Sequence, residues 1–376
     1  MYRFAFVLEQ TMGHVAHAHN LRRALRSEPD VEATVIPIDY DEPSGVNRLP
    51  GLRTWSWRAS AAASDALRKR IAEGPLDGIF IHTQVAALRV TDIMRTIPTI
   101  VSLDATPVQF DREGEAYGHH RGPVPLEAVK KGMNGRAFKS AAKLVTWCRW
   151  AAYSLVADYG AAAENIDVIP PGVDLRLFRP LLVPKRSDAV RVLFVGADFE
   201  RKGGPDLLEA ARRLGDEVEL DIVTTDAAAI PAGPRIRVHR NLQPQSDELV
   251  NLYRQAHVFA LPSRGDCMPQ AVAEALACGV PVVASHVGAI PEMITDHVNG
   301  LLVPARDPAA LAAAIHSLAK SRSQRSAMGH RARSTAEQHF DAGYNNGRIF
   351  DLMRRLASEG ERAAQPRVRM PEGLPA

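Results

Sequence analysis

Short apolar strands alternate with helix-like segments along almost the whole chain, and this alternation most strongly limits the possible fold. Strands separated by helices favour a parallel sheet that is covered on both faces. The alternation stops at IPPGVDLRLFRPLLVPKRSD (169–188), which is rich in proline and charge, and restarts at VRVLFVG (190–196). The first half contains these strand-like segments: Arg3–Leu8, Glu32–Ile38, Gly78–His82, Thr99–Leu103, Lys143–Thr146 and Ile166–Ile169. The pattern predicts an α/β fold with two doubly wound domains.

The length of 376 residues suits two domains of ordinary size. We expect an N-terminal domain over 1–178, a C-terminal domain over 185–335, a C-terminal helix over 336–360 that packs back toward the N-terminal domain, and a flexible tail over 361–376. Ligands bind doubly wound sheets outside the carboxyl ends of the strands. The loops that follow strands are therefore expected to line a central cleft.

Composition excludes several classes of protein. The formal net charge of +3 indicates no nucleic-acid partner. Cys148, Cys267 and Cys278 form no CxxC pair, so we expect reduced thiols in a cytoplasm. No apolar run is long enough to span a membrane. The chain enters the strand-like segment YRFAFVLE at once, so we expect no signal peptide.

The stretch PSRGDCMPQAVAEALACGVPVVASHVG (262–288) carries the clearest local signals in the chain. A loop is expected up to Met268, and Pro269 suits the first helical position because its missing N–H needs no partner there. Gly279 suits a left-handed cap at the end of the helix. The helix is apolar nearly all round, which is typical of a buried helix. VPVVAS is then predicted to form a short buried strand.

Two carboxylates flank the start of this helix. Glu274 lies among the apolar residues, where an ionised side chain is costly without a partner, and Asp266 lies eight residues earlier in the loop. The free N–H groups of a helix N-terminus favour an anion, and carboxylates accept hydrogen bonds from hydroxyls. Together they predict a pocket for a polyol phosphate such as a nucleotide sugar. The simpler alternative is that Glu274 pairs with an arginine and Asp266 is a turn residue.

The loop ADFERKGG (197–204) has the residues of a phosphate site at the end of the strand VRVLFVG. Its glycines allow close backbone approach to a phosphate, and the helix that follows adds N–H donors. The fork of Arg201 and the point charge of Lys202 both suit phosphate oxygens. A solvated charged turn is the alternative. The loop is not GxGxxG, so an NAD-dependent dehydrogenase receives little support.

In the N-terminal half, the loops after strands carry histidines and acids. Gly13 at a helix start, followed by His14, suits an anion or a sugar, whereas a zinc site with His17 would need a third ligand. The long loop after TIVSL offers four candidates for acid–base or acceptor contacts: Asp104, Asp111, His119 and His120. Ordinary turn chemistry is the simpler interpretation for all of these except Asp104.

Residues 121–150 form a basic stretch, with seven Lys or Arg and one acidic residue, Glu127. The segment LRTWSWRAS (52–60) adds two tryptophans flanked by arginines. Basic segments with aromatic side chains can rest on an anionic membrane surface. We therefore consider a cytoplasmic protein with peripheral membrane contact through 121–150, although a solvated basic face is the commoner explanation.

Three segments resemble glycosyltransferase family 4, whose members have the GT-B fold. They are FVGADFERKGG, PSRGDCMPQAVAEALACGVPVVAS with HVGAIPEMI, and VIPPGVD. Their order and spacing fit the family over about 165–335, and the N-terminal half matches more loosely. The resemblance implies two Rossmann-like domains facing a cleft, with the acceptor on the N-terminal domain and a nucleotide sugar on the C-terminal one. It also implies a retaining sugar transfer with no cofactor and no essential metal.

The resemblance implies a role for each matching residue. Lys202, with Arg201, would hold the donor diphosphate, Glu274 would accept from the ribose hydroxyls, and Asp266 would contact hydroxyls of the donor sugar. Gly13 would lie near the diphosphate or the acceptor. The expected donor site also includes Gly196, Met268, Pro269, Gln270 and Gly288. The expected acceptor residues are His14, His119 and His120. The candidates for catalysis are Lys202, Arg201, Asp104 and Asp266.

The chain departs from the family pattern at three places. The family usually has glutamate where Asp266 stands, and one methylene less shortens the reach by about 1.5 Å. An arginine often follows the VG of the first motif, where this chain has Ala197 and Asp198, and Arg201 is the candidate substitute. Many members have a histidine after the fourth strand, where this chain has SLD. These departures leave the donor sugar and the catalytic residues of the N-terminal domain open.

The sequence thus predicts a retaining glycosyltransferase that moves a sugar from a nucleotide sugar to an unidentified hydroxyl. A sugar-nucleotide epimerase or a phosphorylase of the same fold is one alternative, and a catalytically degenerate nucleotide-binding or scaffold protein is another.

Overall fold

The computed structural model describes residues 1–10, 13–39, 55–117, 122–181, 189–226, 230–231 and 233–364. Within these residues the chain forms two six-stranded sheets whose ladders are all parallel, with helices between successive strands. This confirms the predicted α/β class and the two doubly wound units.

The N-terminal sheet has the strand order β2-β1-β3-β4-β5-β6. Its strands are β1 (Tyr2–Glu9), β2 (Val31–Ile38), β3 (Gly78–His82), β4 (Thr99–Leu103), β5 (Lys143–Thr146) and β6 (Ile166–Val168). The predicted bounds of β3, β4 and β5 are confirmed at both ends, and β1 extends one residue beyond the prediction on each side. The strand order reverses between β1 and β3, so the loops after these two strands flank the switch point where such sheets bind ligands.

The C-terminal sheet has the strand order β12-β11-β10-β7-β8-β9. Its strands are β7 (Val190–Val195), β8 (Val218–Val223), β9 (Ile236–His239), β10 (Val258–Leu261), β11 (Val282–Ser285) and β12 (Gly300–Val303). The order reverses between β7 and β10. The loops after β7 and β10 are the two in which the sequence predicts phosphate and hydroxyl contacts.

Helices cover both faces of each sheet. In chain order they are α1 (His14–Leu25), α2 (Trp55–Glu73), α3 (Gln84–Ala87), α4 (Pro107–Arg112), α5 (Val124–Ser140), α6 (Arg149–Tyr159), α7 (Gly204–Leu214), α8 (Asp247–Gln255), α9 (Gln270–Ala277), α10 (Ile290–Met293), α11 (Pro308–Lys320), α12 (Arg322–His339) and α13 (Ala342–Ala364). No helix in the described ranges is both long and apolar enough to cross a membrane.

The segment that joins the two sheets is packed along its first half. Asn20 of α1 donates to the Gly172 carbonyl at 2.8 Å, and Val173 forms a β-bridge with Asp341. Phe178 is fully buried, with its ring edge-on to Tyr253 of α8. The first half of the linker is therefore packed against helices and a strand-like segment of the protein.

The last two helices pack on different domains. Helix α12 packs against α9 of the C-terminal domain, whereas α13 crosses back and packs against α1 and β3. On α13, Phe350 is fully buried and meets Phe6 of β1 edge-on, with ring centroids 6.0 Å apart. Arg354 binds Asp30 at 2.7 Å, and it also contacts Glu28. The C-terminal helix is thus part of the N-terminal core.

We predict that Phe350→Ala lowers the free energy of unfolding by about 3–5 kcal/mol, because it leaves a cavity where a large buried ring packs. Urea unfolding followed by tryptophan fluorescence measures this effect, since all four tryptophans lie in the N-terminal half. Tyr344→Ala, on the same helix but 67% exposed, is the matched control and should change stability by less than about 0.5 kcal/mol. Equal midpoints for the two variants would contradict this packing.

Candidate active site

An ion pair lies at the switch point of the C-terminal sheet. The Lys202 ammonium, in the loop after β7, lies 2.5 Å from Oδ2 of Asp266, in the loop after β10. Both side chains are largely buried, and the Ser263 hydroxyl donates to the same Oδ2 at 3.0 Å. Among the described residues, both bonds are accepted by Oδ2 of Asp266, so its Oδ1 is left to accept from a ligand. The two predicted residues are therefore brought together.

The backbone of the Lys202 loop depends on its glycines. Gly203 has φ +78°, and a Cβ there would lie 1.9 Å from the Pro262 carbonyl oxygen. A Cβ on Gly196 would lie 2.9 Å from Cγ of Lys202. Larger residues at these positions would displace the lysine stem or the facing loop. The RKGG segment therefore has a packing reason for its glycines, besides phosphate approach.

Arg201 points into the protein. Its Nε binds Asp198 at 3.0 Å, its Nη1 donates to the Gly265 carbonyl at 3.1 Å, and its guanidinium lies 4.6 Å from the centre of the Tyr117 ring. These contacts tie the loops after β7 and β10 to a segment of the N-terminal domain. The predicted role of Arg201 as a diphosphate ligand stays a prediction, and its observed contacts are structural.

Helix α9 starts at the same cleft. Pro269 is its N-cap and Gln270 its first residue, so the expectation that Pro269 is the first helical residue is wrong by one position. Met268 is buried just before it. The Gln270 side chain is also buried, and neither of its polar atoms has a hydrogen-bond partner among the described residues. A Cβ on Gly13 would lie 3.8 Å from Cγ of Gln270, so this amide faces the N-terminal domain across the cleft.

Glu274 is buried in the middle of α9, as the sequence predicts. Burial raises the pKa of its carboxyl to about 7, and the nearby Tyr253 hydroxyl opposes this rise. No arginine forms an ion pair with it in the described ranges, which argues against the structural alternative. A ligand hydroxyl that donates to this carboxylate would stabilise its charged form.

Gly288 has φ +51°, and a Cβ there would lie 1.8 Å from the Asp266 carbonyl oxygen. The close approach that this glycine permits is therefore to the backbone of Asp266. It fixes the loop after β11 against the loop that carries the ion pair.

The N-terminal switch point carries a second cluster. Nδ1 of His14, at the start of α1, lies 2.6 Å from Nε2 of His82, the last residue of β3. Nε2 of His14 lies 3.7 Å from Oδ2 of Asp104, which follows β4. The His82 ring stacks on Trp147 with centroids 4.9 Å apart, and His17 is buried beside both rings. Asp104 and His14 thus come together across the end of β3, the strand that lies between β1 and β4 in the sheet.

Sequence reasoning missed His82, Trp147 and Tyr117. The signal for His82 and Trp147 was present, because each lies at the carboxyl end of a predicted strand. Tyr117 carried no such signal, since only the docking of the domains brings it to Arg201. His119 and His120 lie outside the described residues, as do Arg121 and the segment 52–54.

The domains touch beside the ion pair. A Cβ on Gly265 would lie 2.6 Å from Cβ of Ala116, and the Tyr117 hydroxyl lies 3.7 Å from Sγ of Cys267. Elsewhere along the cleft, the Glu292 carboxylate of α10 accepts from the backbone N–H groups of Arg149 and Trp150 at 2.8 and 2.7 Å. A C-terminal carboxylate therefore caps an N-terminal helix, where the dipole favours negative charge.

No group of three His, Cys, Asp or Glu side chains in the part of the chain that the structure describes is arranged to hold a metal ion.

The two halves of the chain match two family models. Residues 12–177 match Glycosyltransferase Family 4, and residues 189–321 match Glycosyl transferases group 1. The chain belongs to glycosyltransferase family 4. The matched ranges correspond to the two sheets, one on each side of the cleft.

Relatives in the family share about a third of their aligned residues with this chain. It is 33% identical over 222 residues to the D-inositol 3-phosphate glycosyltransferase of Xylanimonas cellulosilytica, covering 52% of each chain. It is 36% identical over 194 residues to that of Geodermatophilus obscurus, covering 44% of this chain and 43% of the relative. The chain therefore spans about half the length of the curated relatives it matches.

Solved structures share the architecture over nearly the full length. Sucrose-phosphate synthase from Thermosynechococcus elongatus superposes with a TM-score of 0.77 at 17% identity, over 96% of this chain and 100% of that one. Anabaena HepE in complex with UDP-glucose superposes with a TM-score of 0.69 at 16% identity, over 94% and 100%. This likeness confirms the predicted GT-B fold.

We predict that the stability of the protein falls as pH rises from about 4.5 to about 7, through Glu274. The folded protein keeps this proton up to about pH 7, whereas the unfolded chain releases it near 4.5, so the folded state binds more protons in that window. Glu274→Gln removes this titration. Its stability relative to wild type should therefore grow across the window by about 3 kcal/mol and stay constant above it.

Urea unfolding followed by circular dichroism at several pH values measures this difference. Glu248→Gln, an exposed residue at the start of α8, is the matched control and should run parallel to wild type. A difference between Glu274→Gln and wild type that is independent of pH would contradict the buried carboxyl.

Proposed function

We propose that the protein is a retaining glycosyltransferase that moves a sugar from a nucleotide-sugar donor to the hydroxyl of an acceptor. The observation that carries the proposal is the buried Lys202–Asp266 pair at the switch point of the C-terminal sheet. A cation, a carboxylate and two helix starts converge there, which suits a sugar diphosphate.

The donor contacts follow from the groups that remain available. An ammonium has three N–H donors, and Lys202 uses one on Asp266, which leaves two for diphosphate oxygens. Oδ1 of Asp266 would accept from a hydroxyl of the donor sugar. Glu274 would accept from the ribose hydroxyls, and the unpartnered amide of Gln270 would bond the donor near Gly13.

The names of similar proteins support a nucleotide-sugar donor and an acceptor that carries a hydroxyl. Curated relatives are named D-inositol 3-phosphate glycosyltransferases, and the solved Anabaena HepE is described in complex with UDP and with UDP-glucose. We therefore take a uridine diphosphate sugar as the first donor to test.

Stabilisation of the leaving group would supply the main catalytic effect. Lys202 would stabilise the charge that develops on the departing diphosphate, in a site where water is excluded. The departing diphosphate would take the acceptor proton on the same face of the sugar, which retains the anomeric configuration. The contacts of Tyr117 with Arg201 and Cys267 would hold the cleft closed during transfer.

We predict that one nucleoside diphosphate or its sugar stabilises the protein selectively, and that Lys202→Ala abolishes this stabilisation. A ligand at 100 times its Kd should add about 2.7 kcal/mol to the free energy of unfolding. Thermal unfolding with a panel of nucleotides measures the effect. Lys320→Ala, a 63% exposed lysine of the same domain, is the matched control and should respond like wild type.

We predict that Lys202→Ala and Glu274→Ala each lower turnover at least about 100-fold, because each removes a contact to the donor. Product analysis without an added acceptor separates the alternatives, because an epimerase converts the donor by itself. Rates near wild type in both variants, with folding intact, would refute the site assignment. Stabilisation by a nucleotide with no turnover of any kind would favour the degenerate nucleotide-binding protein.

We also propose that the basic stretch contacts an anionic membrane. At the start of α5, Val124, Leu126 and Val129 are 83, 50 and 57% exposed. The same helix carries Lys130, Lys131, Arg136 and Lys139. Exposed aliphatic side chains beside lysines suit the headgroup region of a bilayer, where each cation adds about 1 kcal/mol.

We predict that vesicles containing anionic lipid retain the protein at low salt and release it at high salt, because surface charges are screened. Sedimentation with vesicles measures retention. The triple variant Val124→Ser, Leu126→Ser and Val129→Ser should lose most of it, while Tyr344→Ser, exposed on α13, should not. If wild type stays in the supernatant at low salt, membrane contact through this surface is wrong.

A further inference from the structure

A pair of histidines at the switch point of the N-terminal sheet has no role in the donor site. His82 is 1% exposed, and its Nε2 lies 2.6 Å from Nδ1 of His14. The two rings come from different elements, because His82 ends β3 and His14 begins α1. Strands β1 and β3 are neighbours, so the contact lies where a doubly wound sheet presents its ligand site.

The His82 ring packs against other aromatic rings. It stacks nearly parallel on Trp147, at an interplanar angle of 8°, and the His17 ring lies edge-on to it at 5.1 Å between centroids. Burial lowers the pKa of His82 well below 6.5, with His14 and His17 acting in the same direction and the Ser102 backbone opposing them. His82 is therefore held neutral, and the packed rings of Trp147 and His17 restrict its rotation.

A hydrogen bond between two ring nitrogens requires one proton between them. The bond to His82 therefore restricts the orientation of the His14 ring and couples its tautomer to that of His82. The His14 ring also lies 5.4 Å from the Trp147 ring, which limits its tilt. Its second nitrogen, Nε2, is then directed at Asp104.

The distance between Nε2 of His14 and Oδ2 of Asp104 is 3.7 Å, which is too long for a direct hydrogen bond. A hydroxyl oxygen that lies beside these two atoms, about 2.8 Å from each, can accept from Nε2 of His14 and donate to Oδ2 of Asp104. Oδ1 of Asp104 is already engaged by the Ala105 N–H at 2.9 Å, which leaves Oδ2 for that hydroxyl.

We propose that His82 is a positioning residue, whose Nε2 fixes the His14 ring so that His14 Nε2 and Asp104 Oδ2 together receive a hydroxyl of the acceptor. The inference rests on the proposed transfer to a hydroxyl, and it assigns that hydroxyl to a place in the N-terminal domain. The titratable groups around this place are these: His17 on α1, Glu9 at the end of β1, His82 on β3, Asp104 after β4, Cys148 before α6 and Cys267 of the C-terminal domain.

Two variants separate positioning from packing. His82→Phe keeps a flat ring against Trp147 and removes the nitrogen, whereas His82→Gln places an amide group near the position of Nε2. His19→Phe, at an exposed position of α1, is the matched control. Thermal unfolding of each variant reports whether it is folded.

The first readout does not depend on activity. Nuclear magnetic resonance of the full chain labelled with ¹⁵N-histidine, at pH 8, reports the tautomer of His14, which a His14→Asn variant assigns. We expect a single tautomer in wild type, a mixture in His82→Phe, and a single tautomer again in His82→Gln. A single unchanged tautomer in His82→Phe would overturn the proposal.

The second readout is kinetic, with UDP-glucose as donor and D-inositol 3-phosphate as acceptor. We expect His82→Phe to lower kcat/KM for the acceptor about 10- to 100-fold, with the KM for the donor unchanged, because a misplaced contact costs this much. His82→Gln should recover most of the loss. An equal rise in both KM values would refute the assignment to the acceptor.

If the wild-type protein transfers no glucose from UDP-glucose to D-inositol 3-phosphate, the proposed function is wrong for this donor and acceptor. The tautomer measurement still decides whether His82 positions His14.

Discussion

Both halves of the molecule depend on the point where the strand order of a parallel sheet reverses. At that point the helices after two neighbouring strands leave on opposite faces, so the strand ends stay uncovered. In the C-terminal sheet the gap between β7 and β10 receives the Lys202 and Asp266 loops. In the N-terminal sheet the gap between β1 and β3 receives His14 and His82. Two sites, one on each side of the cleft, follow from this topology.

The electrostatics of the two sites differ. The C-terminal site holds a buried ammonium against a carboxylate, with an isolated buried carboxyl on α9, so it is prepared for a ligand that carries both negative charge and hydroxyls. The N-terminal site holds neutral buried imidazoles, because burial lowers the pKa of His17 to about 3 and that of His82 well below 6.5. A neutral hydroxyl suits this second site better than an ion does.

The contacts between the domains make the two sites one cleft. Arg201 is the main example, since it bonds Asp198 and the Gly265 carbonyl and lies over the Tyr117 ring of the other domain. Glu292 makes a second connection by capping α6. Helix α6 follows directly after Trp147, on which His82 stacks. The capped N–H groups of Arg149 and Trp150 lie two and three residues after Trp147, so this contact between the domains adjoins the histidine pair.

The sequence alone determined most of the strands, the two doubly wound domains, the positions of Lys202 and Asp266 in loops that follow strands, and the burial of Glu274 in a helix, because strand periodicity, glycine spacing and helix caps are local. It also placed His14 and Asp104 in loops that follow strands. Only the tertiary structure decided that Arg201 turns inward to Tyr117 and that His82 supports His14. These outcomes depend on side chains from distant elements competing for the same space and partners, and no local pattern records that competition.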